Sequence, residues 1–497
     1  MKTILFPAKG AKTPPLWLSA TPILALLLFL SSILVCFDAS AIADYSHLAL
    51  LGASVLSVGL ALACGSLNRR GMTVGFKRSA AQILPAVPML VFIAMVSTTW
   101  MLSGVVPTLI DYGLRMLHPT FFLVITCVIC GLISVLTGSS WSTIATIGVA
   151  FMGIGTVMGF HPGWVAGAII SGAYFGDKVS PLSDTTVVAS STCGVDLFTH
   201  IRYLMFTAVP AMFIALVVFF FAGLSMSHGA APETAAILDM LDSNFNISAW
   251  TLVIPALTVI MLLFRVRTII TLACGSLFGL VGIFILQPGI VSALSGDGYM
   301  LMTLRLLWSE TPFNTGNEVF DNLVTTSGIT GMLPTIALVL CAMLFGTAMI
   351  GTGMLSRLTK AITSKLHGCV PLVGSTVAGG LFLNSCTADQ YLSIIIGGNM
   401  FRNAYRRFGL EPRLLSRTLE DSVSVTSVII PWNSCGVTQS AVLGVATLTY
   451  LPFCVFNYLS PLMSLLMAIT GFKIKKAAAR MRAATPEPSP VKIPLQS

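Results

Sequence analysis

The stretch GAYFGDKVSPLSDTTVVASSTCG, residues 172–194, places Asp177, Lys178 and Asp184 in a chain of 497 residues that is 9% charged and 55% hydrophobic. Soluble domains carry about 25% charged residues. With a mean hydropathy of +0.91, the chain therefore reads as an integral membrane protein, in which each ionisable group at membrane depth needs a partner or a purpose. Pro181 after Ser180 opposes a continuous helix. The reading is a break around 178–183 and a restart at SDTTVVAS with Ser183 or Asp184 near the N-cap. Such a break bares backbone carbonyls beside Asp and Thr oxygens, a hard-oxygen set suited to a small alkali cation or a proton. The competing reading makes Asp184 a simple cap and Asp177–Lys178 a neutralising pair at the membrane edge.

Outward from this stretch, apolar runs recur from Leu16 to about residue 471. At about 20 residues per crossing the length allows roughly ten to thirteen spans. Lysines 2, 9 and 12 precede the first run, and Arg69, Arg70, Lys77 and Arg78 follow the second. By the positive-inside rule residues 1–15 and the basic tail 473–497 both lie in the cytoplasm, flanking a transmembrane domain of residues 16–472. The acidic stretch 228–244 and the connection 288–333 then face outward, while Arg265, Arg267 and the arginines from Arg402 to Arg417 return inside. This distribution accounts for the net charge of +9 without any nucleic-acid partner. Cys127 and Cys130 form a C-x-x-C within one apolar run, which is no zinc site without two further ligands. No H-E-x-x-H or G-x-S-x-G pattern is present, so no enzyme and no cofactor are expected.

A shift of 242 positions lays the opening stretch over LEDSVSVTSVIIPWNSCGV, with Ser180 on Ser422 and Cys193-Gly194-Val195 on Cys435-Gly436-Val437. A looser match sets TGSSWSTIATIG (137–148) over FLNSCTADQYLSIIIGG (382–398). Two halves with polar patches at matching order, about 80–225 and about 330–470, are the mark of a secondary transporter. The expected fold is an all-α polytopic membrane protein. Its two repeats, read as inverted, have broken helices or re-entrant hairpins meeting near the membrane midplane.

The candidate ion- or substrate-binding residues are Asp177, Ser180, Asp184 and Thr185 in the first half, with Asn384, Thr387, Asp389 and Asn433 in the second. Of these, Asp177, Asp184 and Asp389 are the candidate Na⁺ carboxylates. Lys178, Glu420 and Asp421 are read as charge-balancing or coupling groups, with Arg417 a competing partner for the last two. Two roles stay open for Lys178: neutralising an aspartate when no cation is bound, or holding an organic carboxylate.

The motifs SSWSTIATIGVAFMGIG, GAYFGDKVSPLSDTT, TADQYLSIIIGGNMF and SRTLEDSVSVTSVIIPWNSCG resemble the NhaC-type sodium/proton antiporter family. The resemblance covers the middle and late parts of the chain. It implies a secondary transporter of the bacterial cytoplasmic membrane that exchanges Na⁺, with Li⁺ as a second candidate, for H⁺. It carries Asp177, Ser180, Asp184, Thr185, Asp389, Glu420 and Asn433 over as site residues. Val187 and Val188 stand where the family pattern often has an Asn. The alternative is a sodium- or proton-coupled exchanger of a small organic acid or amino acid. Implied partners are Na⁺ and H⁺ or a small organic solute, and the lipid bilayer; a homodimer is left open.

Overall fold

The computed structural model describes residues 14–36, 41–67, 86–226, 231–264, 266–294, 298–363 and 368–474, with a few positions between 72 and 84. The N-terminal lysines, Arg265 and the tail beyond 474 lie outside the described residues. The described chain is helical throughout, with one isolated β-bridge between Thr311 and Thr326. In hydrocarbon every backbone N–H and C=O must be satisfied within the protein, and a helix does this inside one segment.

In chain order the helices are α1 (Leu16–Cys36), α2 (Ala41–Ala63), α3 (Ala86–Leu102), α4 (Val105–Met116), α5 (Pro119–Thr137), α6 (Ser140–Val157), α7 (Pro162–Val179), α8 (Asp184–Cys193) and α9 (Leu197–Met226). They continue as α10 (Ala231–Asn244), α11 (Val253–Leu263), α12 (Thr268–Leu286), α13 (Pro288–Leu294), α14 (Tyr299–Trp308) and α15 (Glu318–Val324). The last group is α16 (Leu333–Gly351), α17 (Met354–Thr363), α18 (Cys369–Thr387), α19 (Gln390–Arg407), α20 (Pro412–Leu419), α21 (Ser434–Leu443), α22 (Thr447–Tyr450) and α23 (Val455–Thr470). Among them, 8 helices are long and apolar enough to cross a membrane, or up to 11 if each of three bent pairs is one span. The stretches 228–244 and 288–333, read as loops, contain α10 and the short helices α13 to α15.

The landmarks of the two halves lie 250 positions apart, not 242. Pro162 and Pro412 each open a helix. Gly138 and Ala388 both turn left-handed, at φ 69° and 54°. Ser139 and Asp389 then cap the next helix, as do Ser183 and Asn433 further on. Gly194 and Gly444 both end their helices in the left-handed region. Hydrogen bonds keep the same spacing. Ser134 Oγ donates to the Ala173 carbonyl at 2.6 Å, and Asn384 Nδ2 to the Val423 carbonyl at 2.7 Å. The Cys-Gly-Val match misled because Cys193 closes a helix whereas Cys435 stands in the first turn of one. What recurs is the capping role, filled by Ser in one half and by Asp or Asn in the other.

Each half leans on helices that precede the other. α2 packs along α16, and α12 along α3, where Trp100 Nε1 donates to the Gly275 carbonyl at 3.1 Å. The most extensive contact joins α5 to α7. There Gly172 and Gly176 let backbones touch: a Cβ on either would run into the carbonyl of Cys127 or of Gly131. Small residues four apart are how membrane helices gain close van der Waals contact without a hydrophobic drive between them. Gly172→Val is expected to destabilise the fold by about 1–3 kcal/mol through overpacking. A thermal melt of the detergent-solubilised variant that matches wild type would contradict this.

Candidate ion site at the broken helices

The break read at 178–183 is present: α7 ends at Val179, and Ser183, not Asp184, caps α8. The Ser180 hydroxyl donates to the Val135 carbonyl at 2.7 Å, pinning the break to the end of α5. In the second half α18 ends at Thr387, Ala388 turns, and the Asp389 carboxylate accepts from Leu392 N at 2.7 Å. Thr387 Oγ1 bonds Ser393 Oγ at 2.7 Å. The second break lies between 424 and 434, where Asn433 caps α21 and its Nδ2 donates to the Asn384 carbonyl at 3.1 Å. Ser434 N donates to the Ala388 carbonyl at 2.9 Å, so the two broken tips of this half are tied together.

The adjacent Asp177 and Lys178 do not pair with each other. Asp177 is half-buried and accepts from Ser140 Oγ at 2.7 Å. Lys178 is fully buried and forms an ion pair with Asp421, donating also to Ser460. Its ammonium stands 5.4 Å from the centre of the Phe456 ring. Lys178 therefore faces an aspartate.

Asp421 is fully buried, and protein groups supply its solvation. Besides Lys178 it accepts from Ser464 at 2.5 Å, Ser460 at 2.9 Å and Thr207 at 3.1 Å. Arg417 Nε, one turn earlier, is 3.8 Å from Asp421 Oδ2, and its guanidinium lies over the Tyr203 ring at 4.6 Å. The expected Arg417 contact is thus real but secondary to Lys178. Glu420 is buried, takes one bond from Thr185 Oγ1 at 3.0 Å and has no partner for its other oxygen. Glu420 and Asp421 begin a π-helical stretch to Ser424 that continues α20, a local widening that often marks functional positions in helices.

Asp177, Asp184 and Asp389 sit at three separate helix ends. Asp184 is exposed in the first turn of α8. Among the described residues no group of three His, Cys, Asp or Glu converges as metal ligands. Unlike Asp421, Asp177 lies by hydroxyls with no cation paired to it among the described residues: Ser140 donates to it, and Ser183 is linked to Thr185 at 3.0 Å. The residues that sequence reasoning missed are Thr207, Ser460 and Ser464. Asn457, Ser460 and Ser464 recur at helical spacing along α23, one polar stripe in an otherwise apolar span.

Removing one member of a buried ion pair strands the other charge. Lys178→Met should therefore cost about 3–5 kcal/mol, and adding Asp421→Asn should restore most of it. Melts of both detergent-solubilised variants test this; a single variant as stable as wild type would refute it.

The sequence profile described as "Na+/H+ antiporter family" matches residues 15–196 and 172–472. The chain is 38% identical over 387 residues to the Na(+)/H(+) antiporter NhaC of Alkalihalophilus pseudofirmus, covering 78% of this chain and 82% of that one. Against the Na(+)/H(+) antiporter NhaC of Bacillus subtilis the identity is 33% over 401 residues, covering 80% and 86%. The malate-2H(+)/Na(+)-lactate antiporter of Bacillus subtilis is 32% identical over 392 residues, covering 78% and 81%.

Proposed function

Because the chain belongs to the Na+/H+ antiporter family, we propose that it exchanges Na⁺ for H⁺ by alternating access, with Asp177 as the carboxylate that carries the exchange. The observation behind this choice is the contrast between the carboxylates. Asp421 is neutralised by Lys178, Asp389 is committed as a helix cap, and Asp177 is half-buried, carries no cationic partner among the described residues and accepts from the hydroxyl of Ser140.

Na⁺ takes the Asp177 carboxylate together with the hydroxyls of Ser140, Ser183 and Thr185 and carbonyls freed at the break. Hard oxygens are the ligands such a cation prefers, and unwound backbone supplies them at membrane depth. A proton on Asp177 removes the charge that holds Na⁺, so the two cargoes exclude each other and exchange follows without a separate coupling device. Thr185 links this set to Glu420, which serves as a second proton-accepting group. Lys178–Asp421 keeps the neighbouring charge constant while Asp177 changes state. Ser180, Asn384, Thr387, Asp389 and Asn433 hold the broken ends in place. The repeats are inverted, the membrane is the bacterial cytoplasmic membrane, and both termini face the cytoplasm.

Reconstituted into proteoliposomes, the protein should move protons in response to Na⁺, and progressively less as the pH falls. Asp177→Asn should lower the rate at least about tenfold, an interaction needed for turnover, whereas the exposed Asp184→Asn should retain most of it. Near-wild-type flux in Asp177→Asn would sink the assignment.

A second reading, exchange of a small organic solute, draws on the relative named for malate and lactate. It also draws on buried amide atoms of Asn384, Gln439 and Asn457 that lack partners. The commitment of Lys178 to Asp421 weighs against a carboxylate-bearing solute. Na⁺-driven proton flux should accordingly proceed with no organic acid present; strict dependence on malate, lactate or an amino acid would favour the second reading.

A further inference from the structure

Three helix ends meet around one groove. α9 begins at Leu197 and presents Thr199, Arg202, Tyr203 and Phe206 at helical spacing on one face. α20 brings Arg413 in its first turn, and the chain leaving α23 brings Lys473. Thr199, Arg202, Tyr203, Phe206 and Arg413 line a groove of about 220 Å³. The Arg413 guanidinium lies 4.9 Å over the Tyr203 ring, and the Lys473 ammonium 5.4 Å from the Phe206 ring. The Tyr203 hydroxyl donates to the Lys473 carbonyl at 3.2 Å. Lys473 is one of two described non-glycine residues at positive φ, 58°, a costly backbone state that persists where surrounding structure enforces it.

The acids nearby are already engaged. Asp196 accepts from Thr199 N at 2.9 Å, which holds its carboxyl below the usual range, and Glu411 pairs with Arg413 Nε. Three cations thus face two committed acids. The groove opens where a 29-residue apolar span starts, and its flanks are exposed apolar side chains: Phe198, Met205, Val209 and Phe472. A cationic hollow with an aromatic wall and an apolar rim, beside the start of an apolar span, matches a molecule with an anionic head and acyl chains.

We propose that this groove binds the headgroup of an anionic phospholipid, its phosphate held by Arg202, Arg413 and Lys473 and its acyl chains lying along the outer face of α9. The site is independent of the ion assignment above, yet adjoins the transport core: Tyr203 carries Arg413 on the groove side and also Arg417, the neighbour of Asp421.

The test is native mass spectrometry of the purified full chain in mild detergent with equimolar phosphatidylglycerol and phosphatidylethanolamine. Wild type should retain phosphatidylglycerol preferentially. Arg202→Gln/Lys473→Gln should lose about fivefold of that preference per charge removed, the effect of about 1 kcal/mol per basic group at a membrane surface, and Arg202→Lys should keep it. If the double variant fails to fold, Lys473→Gln alone, at the exposed chain end, reads the same effect. Equal retention by wild type and a folded variant would overturn the proposal. So would displacement of the lipid by inorganic phosphate or glycerol phosphate at matched concentration, which would make the groove a site for free anions.

Discussion

A buried lysine in an apolar chain is tolerable only with a charge opposite it, and the Lys178–Asp421 pair meets that condition across the two halves. Lys178 ends α7 and Asp421 begins the π-helical stretch after α20, so neither half can bury its own charge alone. Such a pair gains little net stability over an apolar substitute, because desolvation offsets most of the attraction. Its consequence is geometric. With the halves out of register, two charges would lie unpaired in hydrocarbon, so the pair selects one docking of the halves. Thr207, Ser460 and Ser464 add to this by filling the remaining carboxylate acceptor positions, drawing α9 and α23 to the same point.

That docking sets where the broken helices fall. Each break leaves backbone groups without helical partners, and hydroxyl or amide side chains take them up. Thr186 Oγ1 donates to the Lys178 carbonyl at 3.0 Å, Asn457 Nδ2 to the Val425 carbonyl at 2.7 Å and Trp432 Nε1 to the Ser385 carbonyl at 2.9 Å. The hydroxyl-rich composition around the breaks is thus mostly structural. Only a few oxygens are left over, among them the second carboxylate oxygen of Glu420, which has no hydrogen-bond partner.

Much of this was legible in the chain itself, for stated reasons. Pro181 directly after Ser180 announced the break, and the low charge density announced the membrane. The partner of Lys178 was not legible, because Asp421 lies 243 positions away and adjacent Asp177 offered a simpler pairing. The register of the two halves was misread because a three-residue identity outweighed cap positions whose residue types differ. The polar stripe on α23 was readable from spacing alone, but each serine there is unremarkable in isolation. Exposure of Asp184 depended on which residue capped α8, and Ser183 and Asp184 are both good caps.

At the spacing of 250, the charges of one half stand over neutral residues of the other. Asp177 corresponds to Ser427, Lys178 to Val428, Asp184 to Ser434 and Asp389 to Ser139, while Glu420 corresponds to Ile170, Asp421 to Ser171 and Arg417 to Gly167. The hydrogen bonds nonetheless persist: Ser140 donates to Asp177 in one half, and Ser427 donates to Gln390 at 3.2 Å in the other. A polar link thus recurs at this spacing, and a charged residue takes part in it only at Asp177. A carboxylate repeated in both halves would raise the cost of charging both wherever the two came close. A serine at the corresponding position of the other half adds no second charge. The recurring framework supplies two matching breaks, and the departures from its symmetry supply the charge.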